Sequence, residues 1–137
     1  MNSALKGAQV PFRALVVEDD RFFQEVIKEG MAQTVPACSV DLCRSAYEAR
    51  AMIQSDGLNY HMAIIDLGLP DGDGLTIIRE LARVSPRTPI LVVSVSTEER
   101  RVLEAVRAGA IGYVVKGDTM LSITRAIDQL LNGLHPI

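Results

Sequence analysis

The sequence predicts a doubly wound α/β domain, in which helices cover both faces of a five-stranded parallel sheet. Two observations support this fold class. Four short, nearly continuous apolar runs are rich in β-branched residues, as strands buried on both faces are. They are residues 14–17, 62–65, 90–93 and 111–115. Helical patterns separate them, so strands and helices alternate along the chain.

The remaining strand is predicted at residues 39–43, where polar and apolar side chains alternate. Such alternation is typical of an edge strand with one better-solvated face. Cys38 and Cys43 border this segment, and two cysteines are too few for a disulfide framework. We therefore expect both thiols to serve packing.

Each helix is predicted from an apolar stripe at helical spacing and from signals at its ends. Ser45 and Glu48 have the three-residue spacing of a capping box, and Ser96 and Glu99 repeat it. Gly109 is placed to end the fourth helix, because glycine tolerates a left-handed cap. In chain order, the stripes are Phe22, Phe23, Val26, Ile27 and Met31; Ala46, Ala49, Met52 and Ile53; Leu75, Ile78 and Leu81; Val102, Leu103 and Val106; and Ile123, Ile127, Leu130 and Leu131.

Length and composition indicate a single domain, since 137 residues with 48% hydrophobic content suffice for one core. A net charge of -3 offers no basic surface for nucleic acid, so we expect no direct nucleic-acid contact. No apolar run approaches the roughly twenty residues that cross a bilayer, so we predict a cytoplasmic protein without membrane contact. We expect residues 1–12 to be a disordered extension, 13–134 the domain, and 135–137 a tail or the start of a linker.

Polar side chains follow the predicted strands where each strand ends. Glu18 and Asp19 follow the first strand and Asp66 follows the third. Ser94 follows the fourth strand and Lys116 the fifth. Taken singly, each has an ordinary explanation as a cap, a turn residue or a solvated side chain. Because open parallel sheets collect functional groups at the carboxyl ends of their strands, the joint pattern favours a functional site.

Several carboxylates at one sheet edge repel one another unless a hard divalent cation with oxygen ligands lies among them. Magnesium suits such a site, with Asp19 and Asp66 as direct ligands and Glu18 acting mostly through bound water. The cation and Lys116 would screen the repulsion between an attacking carboxylate and a phosphoryl group. Ser94 would donate its hydroxyl hydrogen to a phosphoryl oxygen. The pattern therefore predicts phosphoryl transfer to Asp66.

Three motifs extend this interpretation: Val-Val-Glu-Asp-Asp at 16–20, Ile-Ile-Asp-Leu-Gly-Leu-Pro-Asp-Gly-Asp-Gly at 64–74, and Gly-Ala-Ile-Gly-Tyr-Val-Val-Lys at 109–116. With these motifs in this order, residues 13–133 closely resemble bacterial response-regulator receiver domains. The resemblance implies a flavodoxin-like fold with strand order 2-1-3-4-5. It also implies a signalling domain that assists its own aspartyl phosphorylation and dephosphorylation, rather than an enzyme with a separate substrate.

The resemblance implies a role for individual residues. Asp66 matches the phosphoacceptor, and Ser94 and Lys116 match the hydroxyl and lysine positions. Tyr113 matches an aromatic position that turns inward as the hydroxyl moves towards the phosphoryl group, so Ser94 and Tyr113 are expected to form the switch. The ligands of Mg²⁺, or of Mn²⁺ in its place, are expected to be Glu18, Asp19, Asp66 and the backbone carbonyl of Gly68.

The resemblance also implies partners. A sensor histidine kinase or a histidine phosphotransfer protein is expected to donate the phosphoryl group. The face formed by the fourth helix, fifth strand and fifth helix is expected to contact an output domain or effector, and a homodimer is compatible with it. Gly117 replaces a frequent proline, as in receivers attached to LuxR-type DNA-binding domains, which points to transcription regulation. Val95 replaces a usually small residue, and we expect it to slow reaction with small phosphodonors.

Two other classes of protein stay open. A hydrolase of the haloacid dehalogenase type also places an aspartate nucleophile after a strand, but it has an acid two residues later, where Gly68 stands here. A pseudo-receiver would bind partners without being phosphorylated. The acidic pair together with Asp66, Ser94 and Lys116 argues against that class.

Overall fold

The computed structural model describes residues 11–117 and 120–134, which contain a five-stranded parallel sheet and five α-helices. The strands are β1 (Phe12–Val17), β2 (Cys38–Cys43), β3 (Met62–Ile65), β4 (Ile90–Ser94) and β5 (Gly112–Val115). The helices are α1 (Arg21–Thr34), α2 (Ala46–Asp56), α3 (Gly74–Val84), α4 (Glu99–Ala108) and α5 (Met120–Leu134). The order in the sheet is β2-β1-β3-β4-β5, which confirms the predicted flavodoxin-like fold.

Side chains of the central strands alternate between two hydrophobic clusters, one on each face of the sheet. In β1, Leu15 and Val17 belong to the cluster under α2, α3 and α4, while Ala14 and Val16 belong to the cluster under α1 and α5. Because both faces are covered, both alternating sets of side chains in a strand must be apolar. This is why the runs that predicted the strands are continuous.

The edge strand β2 also forms as predicted, beside β1. Both of its cysteines are free thiols, and Cys43 is buried. Burial raises the pKa of the Cys43 thiol to about 12, with added repulsion from Glu48 and Asp41, so this side chain behaves as a small apolar group.

A polar cluster joins β1, β2 and the segment before β3. The guanidinium of Arg13 forms an ion pair with Asp41, and the Tyr60 hydroxyl donates a hydrogen bond of 2.7 Å to the same carboxylate. Burial alone would raise the pKa of Asp41, but the hydrogen bonds from Tyr60 and Arg13 lower it below its ordinary value. The cluster therefore stabilises the ionised form of Asp41.

The first predicted capping box forms with one change. The Ser45 hydroxyl accepts a hydrogen bond of 3.1 Å from the Glu48 N–H at the start of α2. The Glu48 carboxylate accepts from the N–H of Arg44 at 2.9 Å, and not from that of Ser45. At α1, Asp20 is the N-cap and accepts from the N–H groups of the second and third residues of the helix.

The second predicted capping box is wrong. Helix α4 begins at Glu99 after Glu98, and no side chain caps its first turn. The Ser96 hydroxyl instead accepts from the N–H of Glu98 at 3.3 Å, inside the loop. The loop is held elsewhere, because the Tyr113 hydroxyl donates to the Ser96 carbonyl at 2.9 Å. The helix thus begins two residues later than local spacing predicts, while a contact from a distant strand holds the loop before it.

Helix α4 is packed against the rest of the domain less completely than its apolar stripe suggests. Of its residues only Ala105 is buried, whereas Leu103 is 46% and Val106 53% exposed. Gly109 ends the helix as predicted, with a positive φ of 131° that disfavours other residues. The outer part of the stripe therefore forms an apolar surface.

Strand β1 begins at Phe12, the last residue of the segment expected to be disordered. Residues 1–10 and 135–137, for which an extension and a tail or linker were expected, lie outside the described residues. Within the described ranges, none of the helices is long and apolar enough to cross a membrane.

Candidate functional site

The polar strand-end residues converge because of the strand order. In the register of the sheet, Val17 of β1 lies beside Ile65 of β3, so Glu18 and Asp66 leave neighbouring strands together. The N–H of Asp66 donates to the Val17 carbonyl at 2.9 Å. On the other side, the N–H of Lys116 donates to the Ser94 carbonyl at 2.7 Å. The backbone ladder thus continues just far enough to place both pairs at one edge.

Lys116 connects the two buried acids of this edge. Its Nζ lies 2.8 Å from Oδ2 of Asp66 and 2.9 Å from Oε1 of Glu18. Glu18 is 1% and Asp66 5% exposed, and the Lys116 side chain is 7% exposed. Burial alone would lower the pKa of Lys116, but hydrogen bonds and charge attraction from Asp66 and Glu18 raise it. Lys116 therefore carries a positive charge between two carboxylates.

Glu18 is held in place but is not fully satisfied. Its Oε2 accepts hydrogen bonds from Lys116 Nζ and from the N–H of Asp20, both at 3.0 Å. Its Oε1 lies close to the Lys116 charge, yet no donor is aligned with it for a hydrogen bond. Burial raises the pKa of Glu18 to about 7, against those hydrogen bonds and with added repulsion from Asp66. A buried oxygen without an aligned donor is a feature that a cation would satisfy.

Three carboxylates at this edge could hold a metal ion. Glu18, Asp19 and Asp66 each offer an oxygen, and these oxygens all lie within 4.8 Å of one another. Asp19 is exposed, so the cluster opens to solvent on one side. The N–H of Gly68 donates to Oδ1 of Asp66 at 3.1 Å, which places the Gly68 peptide beside the cluster. An all-oxygen set of this kind suits Mg²⁺ or Mn²⁺.

The loop after β3 carries Asp66 and Gly68 and folds into a two-residue antiparallel pair, Gly68–Leu69 with Gly72–Asp73. At its end, Gly74 is packed so closely that an added Cβ would lie 2.1 Å from the Asp66 carbonyl oxygen. The N–H of Gly74 also donates to the Leu67 carbonyl at 2.8 Å. The start of α3 is thus seated directly on the backbone of Asp66.

Two carboxylates tie the same loop to neighbouring helices. Asp71 accepts from the first two N–H groups of α2, those of Ala46 and Tyr47, at 2.7 and 3.0 Å. These hydrogen bonds lower the pKa of Asp71. Asp73 caps α3 and forms two hydrogen bonds with the Arg101 guanidinium of α4, at 3.0 and 3.1 Å. The loop that carries Asp66 is therefore braced by α2, α3 and α4.

Ser94 and Tyr113 lie beside the acidic edge and are linked through the loop after β4. Ser94 is buried, and its hydroxyl oxygen accepts from the Ser96 N–H at 3.2 Å. The Tyr113 hydroxyl binds the carbonyl of the same Ser96 residue at 2.9 Å. Val95 lies between Ser94 and Ser96 in sequence and is 74% exposed, so its side chain points to solvent.

Sequence reasoning missed three contacts of this edge. Asp71 and the Arg101–Asp73 pair join segments 24 to 28 residues apart, which spacing within one element does not reveal. The third is Phe23, whose ring centroid lies 4.6 Å from Lys116 Nζ. The sequence pattern predicts Phe23 only as part of the apolar stripe of α1. The sequence signal that could have indicated this contact is the position of Phe23 in the first turn of α1, shortly after the acidic pair.

Residues 14–128 match the family described as response regulator receiver domain. The chain is 28% identical over 123 residues to the glycerol metabolism activator of Pseudomonas putida, covering 89% of this chain and 55% of that protein. It is 34% identical over 121 residues to the transcriptional regulatory protein KdpE of Staphylococcus aureus, covering 86% of this chain and 50% of that protein. The chain thus spans about half the length of these relatives.

The fold is also similar to that of solved structures. One is the phosphorylated cyanobacterial phytochrome response regulator RcpA, with a TM-score of 0.77 and 20% sequence identity. The similarity covers 92% of this chain and 95% of that chain. At this level of identity the likeness supports the fold.

Proposed function

We propose that this chain, which belongs to the response regulator receiver domain family, accepts a phosphoryl group on the carboxylate of Asp66. The observation that supports the proposal most directly is the burial and hydrogen bonding of that carboxylate. It is buried at the carboxyl edge of the sheet, with Oδ2 held by Lys116 Nζ at 2.8 Å and Oδ1 held by the Gly68 N–H at 3.1 Å. Asp66 is thus oriented by two hydrogen-bond donors at a buried position beside the solvent-facing Asp19.

The transfer itself forms one bond and breaks one. A carboxylate oxygen of Asp66 bonds to phosphorus, while the bond between phosphorus and the donor's histidine nitrogen breaks and its electron pair stays on that nitrogen. Lys116 neutralises charge on a phosphoryl oxygen, which its ammonium reaches because it already touches Asp66. The Ser94 hydroxyl donates to a second phosphoryl oxygen. These groups position and neutralise, and none of them must exchange a proton with the substrate.

The acidic cluster fits a divalent cation, Mg²⁺ or Mn²⁺. Asp19, Asp66 and the Gly68 carbonyl would hold it directly, and Glu18 would act mostly through bound water. The cluster geometry supports this assignment, as does the buried Oε1 of Glu18, which has no aligned hydrogen-bond donor. When bound, the cation screens the repulsion between the attacking carboxylate and the phosphoryl oxygens.

Phosphorylation then shifts the domain between two conformations. Ser94 and Tyr113 form the switch, since both bind Ser96 and a movement of the Ser94 hydroxyl towards the phosphoryl group releases its hydrogen bond to that residue. Helix α4 follows this loop and is only partly buried, so a small change in the loop can reposition it. Phosphorylation of Asp66 therefore changes the position of α4 through the switch.

The partners follow from the family and from exposed surface. The phosphoryl donor is a sensor histidine kinase or a histidine phosphotransfer protein. The readout face is α4, β5 and α5, and it contacts an output domain, an effector or a second copy of the chain. Leu103 and Val106 of α4, and Ile111 just before β5, are 46–59% exposed. Because the relatives are about twice as long and include a transcriptional regulatory protein, the output is transcription regulation.

The test is mass spectrometry of the chain after incubation with acetyl phosphate and Mg²⁺. We expect one phosphoryl group per chain on Asp66, none on Asp66→Asn, and none when the metal is chelated. Equal labelling of wild type and Asp66→Asn would refute the proposal. Repeated turnover of phosphate esters would indicate a hydrolase, and failure to bind both Mg²⁺ and beryllofluoride would indicate a pseudo-receiver.

The role expected for Val95 needs a separate comparison. Its side chain is 74% exposed and follows Ser94 directly in sequence. We expect Val95→Ala to be labelled faster than wild type by acetyl phosphate. No gain in rate would contradict crowding by this residue.

A further inference from the structure

We propose that Phe23 is a positioning residue, which holds the ammonium group of Lys116 against the acidic edge through the face of its ring. The inference rests on the proposed function, because it concerns the lysine that neutralises the phosphoryl group. Phe23 itself touches neither Asp66 nor a phosphoryl oxygen in this assignment. It acts through Lys116.

The geometry is that of a cation–π contact. Nζ of Lys116 lies 4.6 Å from the centroid of the Phe23 ring, within the approximately 6 Å over which such contacts are attractive. The same Nζ lies 2.8 Å from Asp66 and 2.9 Å from Glu18. The two carboxylates and the ring surround the ammonium group, which explains why a lysine at the end of a strand is only 7% exposed.

Phe23 is itself held by the start of α1. The Asp20 carboxylate accepts hydrogen bonds from the N–H groups of Phe22 and Phe23, at 2.8 and 3.2 Å. The Phe22 ring meets the Phe23 ring edge to face, with centroids 5.2 Å apart. Phe22 is 66% exposed and Phe23 is half-buried. The ring over Lys116 is thus fixed by a cap on its backbone and by an outer aromatic neighbour.

Among the described residues, the backbone next to Lys116 offers little steric restraint on its C-terminal side. Gly117 follows directly, and a Cβ at that position would meet no atom within 4 Å. Steric confinement of Lys116 therefore comes from across the site, from the first turn of α1. This pairs the acidic segment after β1 with the lysine after β5.

The ring has a specific advantage over a hydrogen-bond acceptor in this position. When a phosphoryl group arrives, Lys116 must shift from the Asp66 carboxylate to a phosphoryl oxygen. The attraction of a ring face changes gradually with the position of the cation, whereas a hydrogen bond has a narrow geometry. Phe23 can therefore keep the ammonium group desolvated while it moves between the two partners.

The experiment varies the negative charge on the face of the ring, and one variant removes the ring. In the full chain, Phe23 is replaced by tyrosine, leucine and a series of increasingly fluorinated phenylalanines, which weaken the negative face of the ring. The rate of labelling by acetyl phosphate at saturating Mg²⁺ and the dissociation constant for beryllofluoride are measured, with the melting temperature as a check on folding. Tyr47→Leu is the matched control, because Tyr47 is an exposed aromatic residue at the start of another helix and its ring is not the one over Lys116.

We expect Phe23→Tyr to behave like wild type, and Phe23→Leu to lose about two- to tenfold in both rate and beryllofluoride affinity, which is the size of a cation–π contact. The loss should grow with each added fluorine while the melting temperature stays constant, and Tyr47→Leu should change the rate less than twofold. A fluorinated series with no trend would overturn the inference while leaving the proposed function intact. A wild type that neither accepts a phosphoryl group nor binds beryllofluoride would overturn both.

Discussion

Replacing Gly74 by alanine should damage both the stability of the domain and its phosphorylation. The first residue of α3 sits on the backbone of the preceding loop. An added Cβ would lie 2.1 Å from the carbonyl oxygen of Asp66 and 2.8 Å from Cα of Leu67. Both contacts involve backbone atoms, so no side chain can rotate away. To reach even 3.0 Å from that oxygen, the helix and the loop must separate by 0.9 Å.

The cost follows from this overlap. Forcing one extra carbon into a packed site costs about 1–3 kcal/mol, and alanine regains up to about 1 kcal/mol of helix propensity. Because the overlap involves backbone, we expect a net loss near the upper end, about 2 kcal/mol in the free energy of unfolding. For a chain of this length that lowers the melting temperature by about 6 °C. Since a displacement of this size also moves Asp66, labelling should slow by about tenfold to a hundredfold.

Gly68→Ala is the matched control. It changes a glycine of the same loop at a position where a Cβ would meet nothing within 4 Å and where φ is not positive. We expect its stability to equal that of wild type or to exceed it by up to about 1 kcal/mol. Urea unfolding gives the free energies, and phosphoprotein mass spectrometry gives the labelling rates. If Gly74→Ala were as stable and as quickly labelled as Gly68→Ala, the close seating of α3 on Asp66 would be refuted.

Three further changes test other parts of the structure. Lys116→Met should destabilise the metal-free protein by about 3 kcal/mol at pH 8, because it leaves two buried carboxylates without their cation, and Mg²⁺ should restore part of the loss in urea unfolding. An unchanged midpoint without metal would contradict this. Asp41→Asn should cost about 1 kcal/mol at neutral pH through the lost ion pair with Arg13. Since the folded pKa of Asp41 is lowered, its contribution is fully present above the ordinary value near 3.9 and is lost as the pH falls through the folded pKa. The difference from wild type should therefore shrink as the pH is lowered below that value, and a difference that stayed constant would exclude this origin. Gly109→Ala should cost about 1–3 kcal/mol, because φ is 131° there, and thermal unfolding that matches wild type would show that the helix end relaxes freely.

Much of the fold was predictable because buried strands and amphipathic helices each have an apolar pattern that can be recognised in the sequence itself. A strand covered on both faces needs apolar residues throughout, so residues 62–65 and 90–93 mark strands without reference to anything distant. Alternation of strands with helices then leaves few connections, since parallel crossovers are right-handed. The convergence of Asp66 with Lys116 follows from that topology, because all strand ends of one direction meet at one edge.

Local spacing could not predict helix boundaries or burial that depend on contacts with another helix or strand. The spacing of Ser96 and Glu99 suits a capping box, yet the Tyr113 hydroxyl holds the Ser96 carbonyl and the helix starts later. The stripe of α4 looks like core, yet Leu103 is 46% exposed because little chain covers that side.

The acidic edge shows the same division. Residue types and order were enough to indicate which side chains gather there, since charge and hydrogen-bonding capacity belong to each residue alone. The ring of Phe23 over Lys116 and the contact of Gly74 with the Asp66 backbone depend on distances of a few ångströms between segments far apart in sequence. Such distances are set by how whole helices pack on the sheet, and only the tertiary structure decides them.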